Sequence, residues 1–434
     1  MRFRTQQIFT LLVMIFALQS SMIGQHYFST VLPADLLSSD ARTLSMGYGM
    51  NPLFQQSAEH PFRLRIDFDA RSMTETRSFP IIDMFDDVVT DNVYVINRLM
   101  TYSTPWTLSA DLSKWIHQPV SVSITQSPFW DFRYNYKEEV RASLGPGVYN
   151  RDPVAGYHIF RMDGIIQSTQ FDVAIHPISF FNIGMSFESF TGQDLFQQKG
   201  VKVLLTDDAL ASDSTNIMEY DLNLDNTNRW TLGLDVILAN SIMLGFSMKS
   251  AVGFLFKTDG YVPVLDERTQ LPGLTKADTL SSYMISLPSE FSLMFSSRLN
   301  NKIKSFANGR VTYSDWSQTD EIMVKGVSTD TVNFHYQSTW SIHLGVEHWV
   351  LNQTPFRFGF TYSDSPLGDN FEQTMITLGT GWTYEHFTLD IGTAFGRVEY
   401  RYSDLFVPTG QDADNLEEVK ESVLSVKASL TYSF

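Results

Sequence analysis

From Pro61 to Phe434 the chain repeats with a period of two, and this constrains its fold more than any other property of the sequence. Near the start, Phe62, Leu64, Ile66 and Phe68 alternate with Arg63, Arg65, Asp67 and Asp69. Side chains on a strand point to opposite faces in turn, so one face is apolar and the other charged. The last segment repeats the pattern, with Leu424, Val426, Ala428, Leu430, Tyr432 and Phe434 against Ser425, Lys427, Ser429, Thr431 and Ser433. A soluble sandwich also alternates, but its apolar face rarely persists over so many long strands. An outer-membrane barrel turns the apolar set to lipid and the polar set to its lumen, and a terminal strand ending in Phe is usual for one. The fold class read from this pattern is all-β, a transmembrane antiparallel β-barrel.

Twelve further strands centre on residues 106–115, 120–124, 171–176, 181–187, 230–238, 242–254, 291–298, 306–316, 340–347, 356–362, 376–384 and 387–402. With the first and last they make about fourteen, an even number that puts both chain ends on the periplasmic side. Residues 127–170 read as irregular. Short links at 117–119, 177–180, 239–241, 299–302, 348–355 and 385–386 alternate with long polar ones at 72–103, 191–229, 258–287, 317–338, 363–374 and 403–422. Short periplasmic turns and long external loops are the rule for such barrels. Trp115, Trp349, Trp382 and Tyr384 stand at the short-turn ends, where interfacial aromatics belong.

The N-terminus supplies the address. Arg2 and Arg4 precede an apolar run from Ile8 to Leu18, followed by small and polar residues up to Gly24. This is a signal peptide over 1–24, because the run is shorter than the roughly 20 apolar residues a spanning helix needs. Composition narrows the functions. The formal charge is −17, and losing Arg2 and Arg4 would take the mature chain two units lower. Such a chain suits neither nucleic acid nor electrostatic docking on an anionic membrane surface. With no cysteine there is no disulfide, thiolate metal site or cysteine nucleophile. The 33 Phe, 18 Tyr and 8 Trp suit aromatic girdles around an alternating wall.

Signals for chemistry are weak. The nine histidines show no HExxH or other tight metal spacing, so no metal and no cofactor is expected. Ser341 and His343 share a strand face, but residues two apart are expected to diverge too far for a nucleophile–base bond, so the chain reads as a non-enzyme. Acidic clusters at Asp83, Asp86, Asp87 and Asp91, and at Asp412, Asp414, Glu417, Glu418 and Glu421, read as solvated external loops. Calcium bridging to lipopolysaccharide phosphate is the alternative for them.

The segment Gly359-Phe360-Thr361-Tyr362-Ser363-Asp364-Ser365-Pro366 resembles the GxxYxxSP strand-to-loop motif of the FadL/TodX family of long-chain fatty acid transporters. Tyr313-Ser314-Asp315-Trp316-Ser317-Gln318 is similar to that family's Trp-Ser-Gln strand end, and Leu287-Pro288 to a Leu-Pro one hairpin earlier. The three occur in family order between about 287 and 434. Ser38 to Gly47, followed by Asn51-Pro52, is similar to the family's N-terminal hatch, which plugs the barrel. Here the Ala/Asp-rich stretch is almost absent and Leu53 replaces the expected alanine, so the hatch is shortened or remodelled.

The resemblance implies a signal peptide (1–24), a short hatch (25–60) and a barrel (61–434) in a bacterial outer membrane, among lipid and lipopolysaccharide, with nothing demanding more than a monomer. It implies passive uptake of a hydrophobic molecule, a long-chain fatty acid or similar. Loops 191–229 and 258–287 would collect ligand, and exit would be sideways through the wall or inward past the hatch. A carboxylate head wants a planar guanidinium. Arg63, Arg65, Arg310 and Arg357 all fall on the lumen set and are the candidate clamp, unless they pair with Asp67, Asp69 or Glu347 to stiffen the interior. Tyr27, Phe28 and Leu32 are candidates for apolar contacts beneath the ligand. An interaction or shuttle role in a protein-secretion apparatus is the alternative function, which a reduced hatch and acidic loops would suit. A general porin is disfavoured, because a plug and a crowded lumen leave little open channel.

Overall fold

The inside of this protein is charged and its outside is greasy. On the first strand Asp67 is 1% exposed while its neighbour Phe68 is 41% exposed. On the last, Lys427 and Ser429 are buried while Leu424, Val426 and Leu430 face outward. That inversion is stable only where the outside is hydrocarbon.

The computed structural model describes residues 27–32, 40–49, 61–85, 87–116, 119–141, 153–204, 217–239, 242–265, 271–276, 279–299, 304–319, 321–326, 329–350, 354–406 and 416–434. The expected signal peptide lies outside the described residues. So does most of the expected hatch, including Asn51, Pro52 and Leu53.

Among the described residues fourteen antiparallel strands close on themselves. In chain order they are β1 (Phe62–Ile82), β2 (Val88–Ser103 and Trp106–Asp111) and β3 (Val120–Asp131 and Tyr134–Arg141). Next come β4 (Val154–Ile178), β5 (Phe181–Val203), β6 (Thr227–Ala239) and β7 (Ile242–Lys249). They continue with β8 (Glu290–Leu299), β9 (Ser305–Ser314), β10 (Thr339–Val350) and β11 (Thr354–Ser363). β12 (Gln373–Tyr384), β13 (Phe387–Tyr402) and β14 (Glu417–Ser433) complete the wall. Each strand pairs with its sequence neighbours, and β14 returns to β1 from Arg63↔Ser433 to Ser78↔Glu418. Closure removes the open edges that a bilayer does not tolerate. Trp115, Trp382 and Tyr384 are exposed at the short-turn end, as an interfacial girdle should be.

The structure corrects several sequence expectations. Residues 72–103 are mostly strand, since β1 and β2 pair from Asp69↔Ser103 to Ile82↔Val88, with register shifts after Arg77 and Ile81. Alternation failed there because Ser72, Thr74 and Thr76 take the outer face of β1, beside the exposed Met100 and Ile96 of β2, while the inner face carries Met73, Glu75 and Arg77. The stretch 127–170, read as irregular, supplies the outer halves of β3 and β4. The expected strand 242–254 is two elements: β7 ends at Lys249, and Val252–Thr258 belongs to a second sheet.

That second sheet is built from segments expected as external loops. Its strands run in the order Asn223–Leu224, Val252–Thr258, Ser281–Leu287, Glu321–Lys325 and Thr329–Asn333, with a separate hairpin of Tyr261–Leu265 and Pro272–Lys276. Phe254, Phe256, Tyr283 and Ile285 are buried from it into the main hydrophobic cluster. Glu417 and Glu421 are also buried, against the reading of a solvated acidic loop. Asp86, Asp412 and Asp414 lie outside the described residues.

Candidate functional site

At the periplasmic end of the lumen a short helix, α1 (Ala41–Ser45), lies against β11 to β14. Asp40 caps it, accepting from the Thr43 N–H at 2.6 Å. Burial raises the Asp40 pKa, but the Arg65 guanidinium and the Thr43 hydrogen bonds outweigh it and hold the carboxyl below its usual value. The wall satisfies the backbone of this segment. Ser429 Oγ accepts from the Ala41 N–H at 2.7 Å, and Thr377 Oγ1 donates to the Ser45 carbonyl at 3.1 Å. The Gly47 carbonyl receives Thr361 Oγ1 at 3.3 Å and His343 Nδ1 at 3.0 Å. Gly345 and Gly359 face each other in register beneath residues 46 and 47, and a Cβ on either would overlap that backbone. Gly here is a requirement of close approach.

The predicted arginines gather around this segment, and the structure shows what holds two of them. Arg357 donates to Glu347 Oε2 (2.7 Å), Asp390 Oδ1 (2.7 Å) and the Thr380 carbonyl (3.0 Å). Arg65 donates to Asp67 (3.1 Å), Asp40 (3.0 Å) and Thr107 (3.1 Å). Arg63 lies in the field of Asp111, and Arg310 is in register with His343. A guanidinium whose donors are taken by buried carboxylates cannot turn to a ligand without stranding those charges.

Ser341 and His343 are within hydrogen-bond reach, contrary to expectation, with Nε2 3.2 Å from Ser341 Oγ. Because the Gly47 carbonyl only accepts, the imidazole proton is on Nδ1 and Nε2 accepts from the serine hydroxyl. The ring thereby ties the wall to the N-terminal segment. Among the described residues no group of three or more His, Asp or Glu is placed to hold a metal ion.

Tyr27 and Phe28 lie elsewhere, in an aromatic core filling the outer part of the lumen. The Tyr27 ring meets Tyr134 at 5.7 Å, Phe160 at 5.8 Å and Tyr402 at 5.5 Å. Phe28 meets Tyr400 at 5.3 Å and Phe371 at 5.4 Å. Leu32 is buried in the same cluster. Sequence reasoning missed the largest members, Trp130, Phe132, Tyr134 and Tyr136, though their period-two spacing was a usable signal. Polar groups are threaded through the core: Glu75 accepts from Arg77 Nε at 2.6 Å and Tyr134 Oη at 2.9 Å, and Glu421 from Tyr400 Oη at 2.8 Å.

The wall beside this core is incomplete. Among the described residues Val88–Ser103 is laddered only to β1, and Tyr134–Arg141 only to β4. Pairing between β2 and β3 stops at Trp106↔Gln126. The aromatic core therefore adjoins a break in the ladder.

Comparison with known proteins agrees with this architecture. A Pseudomonas aeruginosa FadL homologue superposes with a TM-score of 0.61, at 13% identity, over 91% of this chain and 98% of that one. The Pseudomonas putida toluene transporter TodX gives 0.60 at 12% identity, over 92% and 99%. The Ralstonia pickettii toluene transporter TbuX gives 0.54 at 12% identity, over 92% and 99%. No curated protein sequence matches the chain. The profile of a family described as outer membrane protein transport protein (OMPP1/FadL/TodX) matches residues 178–420, more than half of the sequence. The chain is an outer-membrane β-barrel and belongs to the OMPP1/FadL/TodX family.

Proposed function

We propose that this barrel carries hydrophobic small molecules, long-chain fatty acids or similarly apolar compounds, passively across the outer membrane. The observation that carries the reading is the aromatic core: a lumen filled from β3, β4, β5, β13, the outer sheet and the N-terminal turn by buried Trp, Tyr and Phe. A water-filled porin lumen is polar. An apolar lining instead makes a path on which a greasy solute is better solvated than in water or among sugars. TodX and TbuX are toluene transporters, which extends the proposed range of solutes to small aromatics.

Ligand would come from outside, beneath the second sheet, and displace or pack on Tyr27 and Phe28. Residues 40–49 would act as the plug, since hydrogen bonds and the Arg42–Glu347 pair tie them to the wall. The unpaired side of Val88–Ser103 supports a sideways exit through the wall.

The test is mass spectrometry of small molecules extracted from the purified barrel, with an unrelated barrel as control. Selective recovery of a fatty acid or other apolar compound is the expected result. An empty lumen with a co-purifying protein would favour the secretion-partner role instead.

A further inference from the structure

We propose that Ser341 and His343 are a nucleophile and its general base, and that the barrel cleaves a carboxylic ester with an apolar acyl chain inside its lumen. The inference rests on the transport reading only for how such an ester reaches the site.

The pair lies on the inner face of β10. Ser341 Oγ is 3.2 Å from Nε2 of His343, and Nδ1 of the same ring is 3.0 Å from the Gly47 carbonyl. That carbonyl only accepts, so the ring is held as the Nδ1–H tautomer with the Nε2 lone pair on the serine hydroxyl. A nucleophile within reach of a base, with the base turned by a third group, is the arrangement that nucleophilic catalysis needs. A second serine–histidine contact in the wall does not have it. Ser305 Oγ is 2.9 Å from Nδ1 of His348, but among the described residues no acceptor meets the other nitrogen of that ring.

The surroundings suit the reaction. His343 is 3% exposed, so water does not compete for its nitrogens. Ser341 is only half-buried and lies toward the external end of β10, and the chain leading into that strand carries Phe334 and Tyr336 of the aromatic core. An acyl chain held in that core would bring its carbonyl end toward the hydroxyl. Arg310 on β9 is in register with His343 and diagonal to Ser341. Diagonal neighbours about 7–8 Å apart are within reach of a long side chain, so its guanidinium can offset charge growing on the carbonyl oxygen.

In the first step Oγ attacks the ester carbonyl carbon while its proton passes to Nε2. The imidazolium returns that proton to the leaving alkoxide, an alcohol departs, and the acyl group stays on Oγ. Water, giving its proton to Nε2, then displaces the acyl group as a carboxylic acid and restores the serine. Gly47 is the positioning residue, and it belongs to the N-terminal segment. The dyad is therefore complete only while that segment is seated on the wall.

The full barrel in detergent micelles is treated with a biotinylated fluorophosphonate, which bonds to activated serines, and the adduct is located by peptide mass spectrometry. It is expected on Ser341 of the folded barrel, and neither on Ser305 nor on the heat-unfolded chain. Turnover is read with p-nitrophenyl laurate. Ser341→Ala and His343→Gln should each lower hydrolysis about a hundredfold or more and Arg310→Met about tenfold, while Ser305→Ala should leave it unchanged. Gly359→Val, which unseats Gly47, should lower kcat about tenfold with KM kept, whereas a purely structural tie would leave turnover alone. An unlabelled wild-type barrel, equal labelling of Ser341 and Ser305, or a Ser341→Ala barrel that hydrolyses the ester as wild type does overturns the proposal. The labelling of wild-type protein needs no variant, so it decides the matter even where a variant does not fold. An unlabelled barrel whose lumen still yields apolar compounds on extraction overturns this inference alone; with an empty lumen it overturns the transport reading as well.

Discussion

Arg42 and Glu347 are joined by two hydrogen bonds, Nε to Oε2 at 3.0 Å and Nη2 to Oε1 at 2.9 Å. They stand 305 residues apart in sequence, one on the N-terminal helix and the other on the inner wall of β10. The same carboxylate also holds Arg357, so one glutamate links the segment in the lumen to the wall's own charge network.

Arg42→Ala removes the bidentate contact and leaves Glu347 still paired to Arg357. Hydrogen bonds to charged groups contribute about 1.5–3 kcal/mol, a large share of what holds so short a segment. Single-barrel conductance in planar bilayers is expected to rise severalfold while the barrel keeps its resistance to detergent unfolding. Unchanged conductance would show that Arg42 does not hold a plug.

Gly359→Val tests the same seating without touching charge. The new Cβ would overlap the Gly47 nitrogen and Thr377 Oγ1, which is itself held by the Ser45 carbonyl. The segment is expected to lift from β11 and conductance to rise, whereas Gly253→Ala in the second sheet, where a Cβ would meet the flexible Met284 side chain at 3.3 Å, should leave conductance unchanged. A closed, fully stable Gly359→Val barrel would contradict this packing.

Arg77→Met strands Glu75 among tyrosines in the aromatic core. Breaking one side of a buried pair costs about 3–5 kcal/mol, so the unfolding temperature should fall markedly. Adding Glu75→Gln should recover part of the loss, because the remaining amide carries no charge. Equal stability of the single and double variants would mean the pair is not coupled.

Arg357→Ala bears on the carboxylate clamp expected from the sequence. Because its guanidinium is occupied by Glu347 and Asp390, the variant should lose stability and change the affinities for laurate and methyl laurate by the same factor. A selective loss of laurate would return Arg357 to the ligand site.

Strand number and strand identity were legible wherever the wall crosses hydrocarbon. On β10, Trp340, Ile342, Leu344 and Val346 face out, and His343 and Glu347 face in, because lipid on one side and charge on the other enforce period two. Toward the long-loop end that strict alternation lapses. The outer halves of β1 to β5 and the second sheet therefore read as loops, although aromatic spacing at Trp130 to Tyr136 marked part of them.

The site divides along the same line. The alternation by itself determined a barrel wall and, over its regular stretches, which residues enter the lumen, since each follows from a local rule about which solvent a side chain meets. Which lumen cations are taken, and by which carboxylates, was decided only by tertiary structure. Arg357 meets Asp390 across 33 residues, and Arg42 meets Glu347 across 305. Arg65 finds Asp40 and Arg357 finds Asp390 because elements distant in sequence bring those partners together. A one-dimensional pattern records the face on which a charge lies but not what stands opposite it.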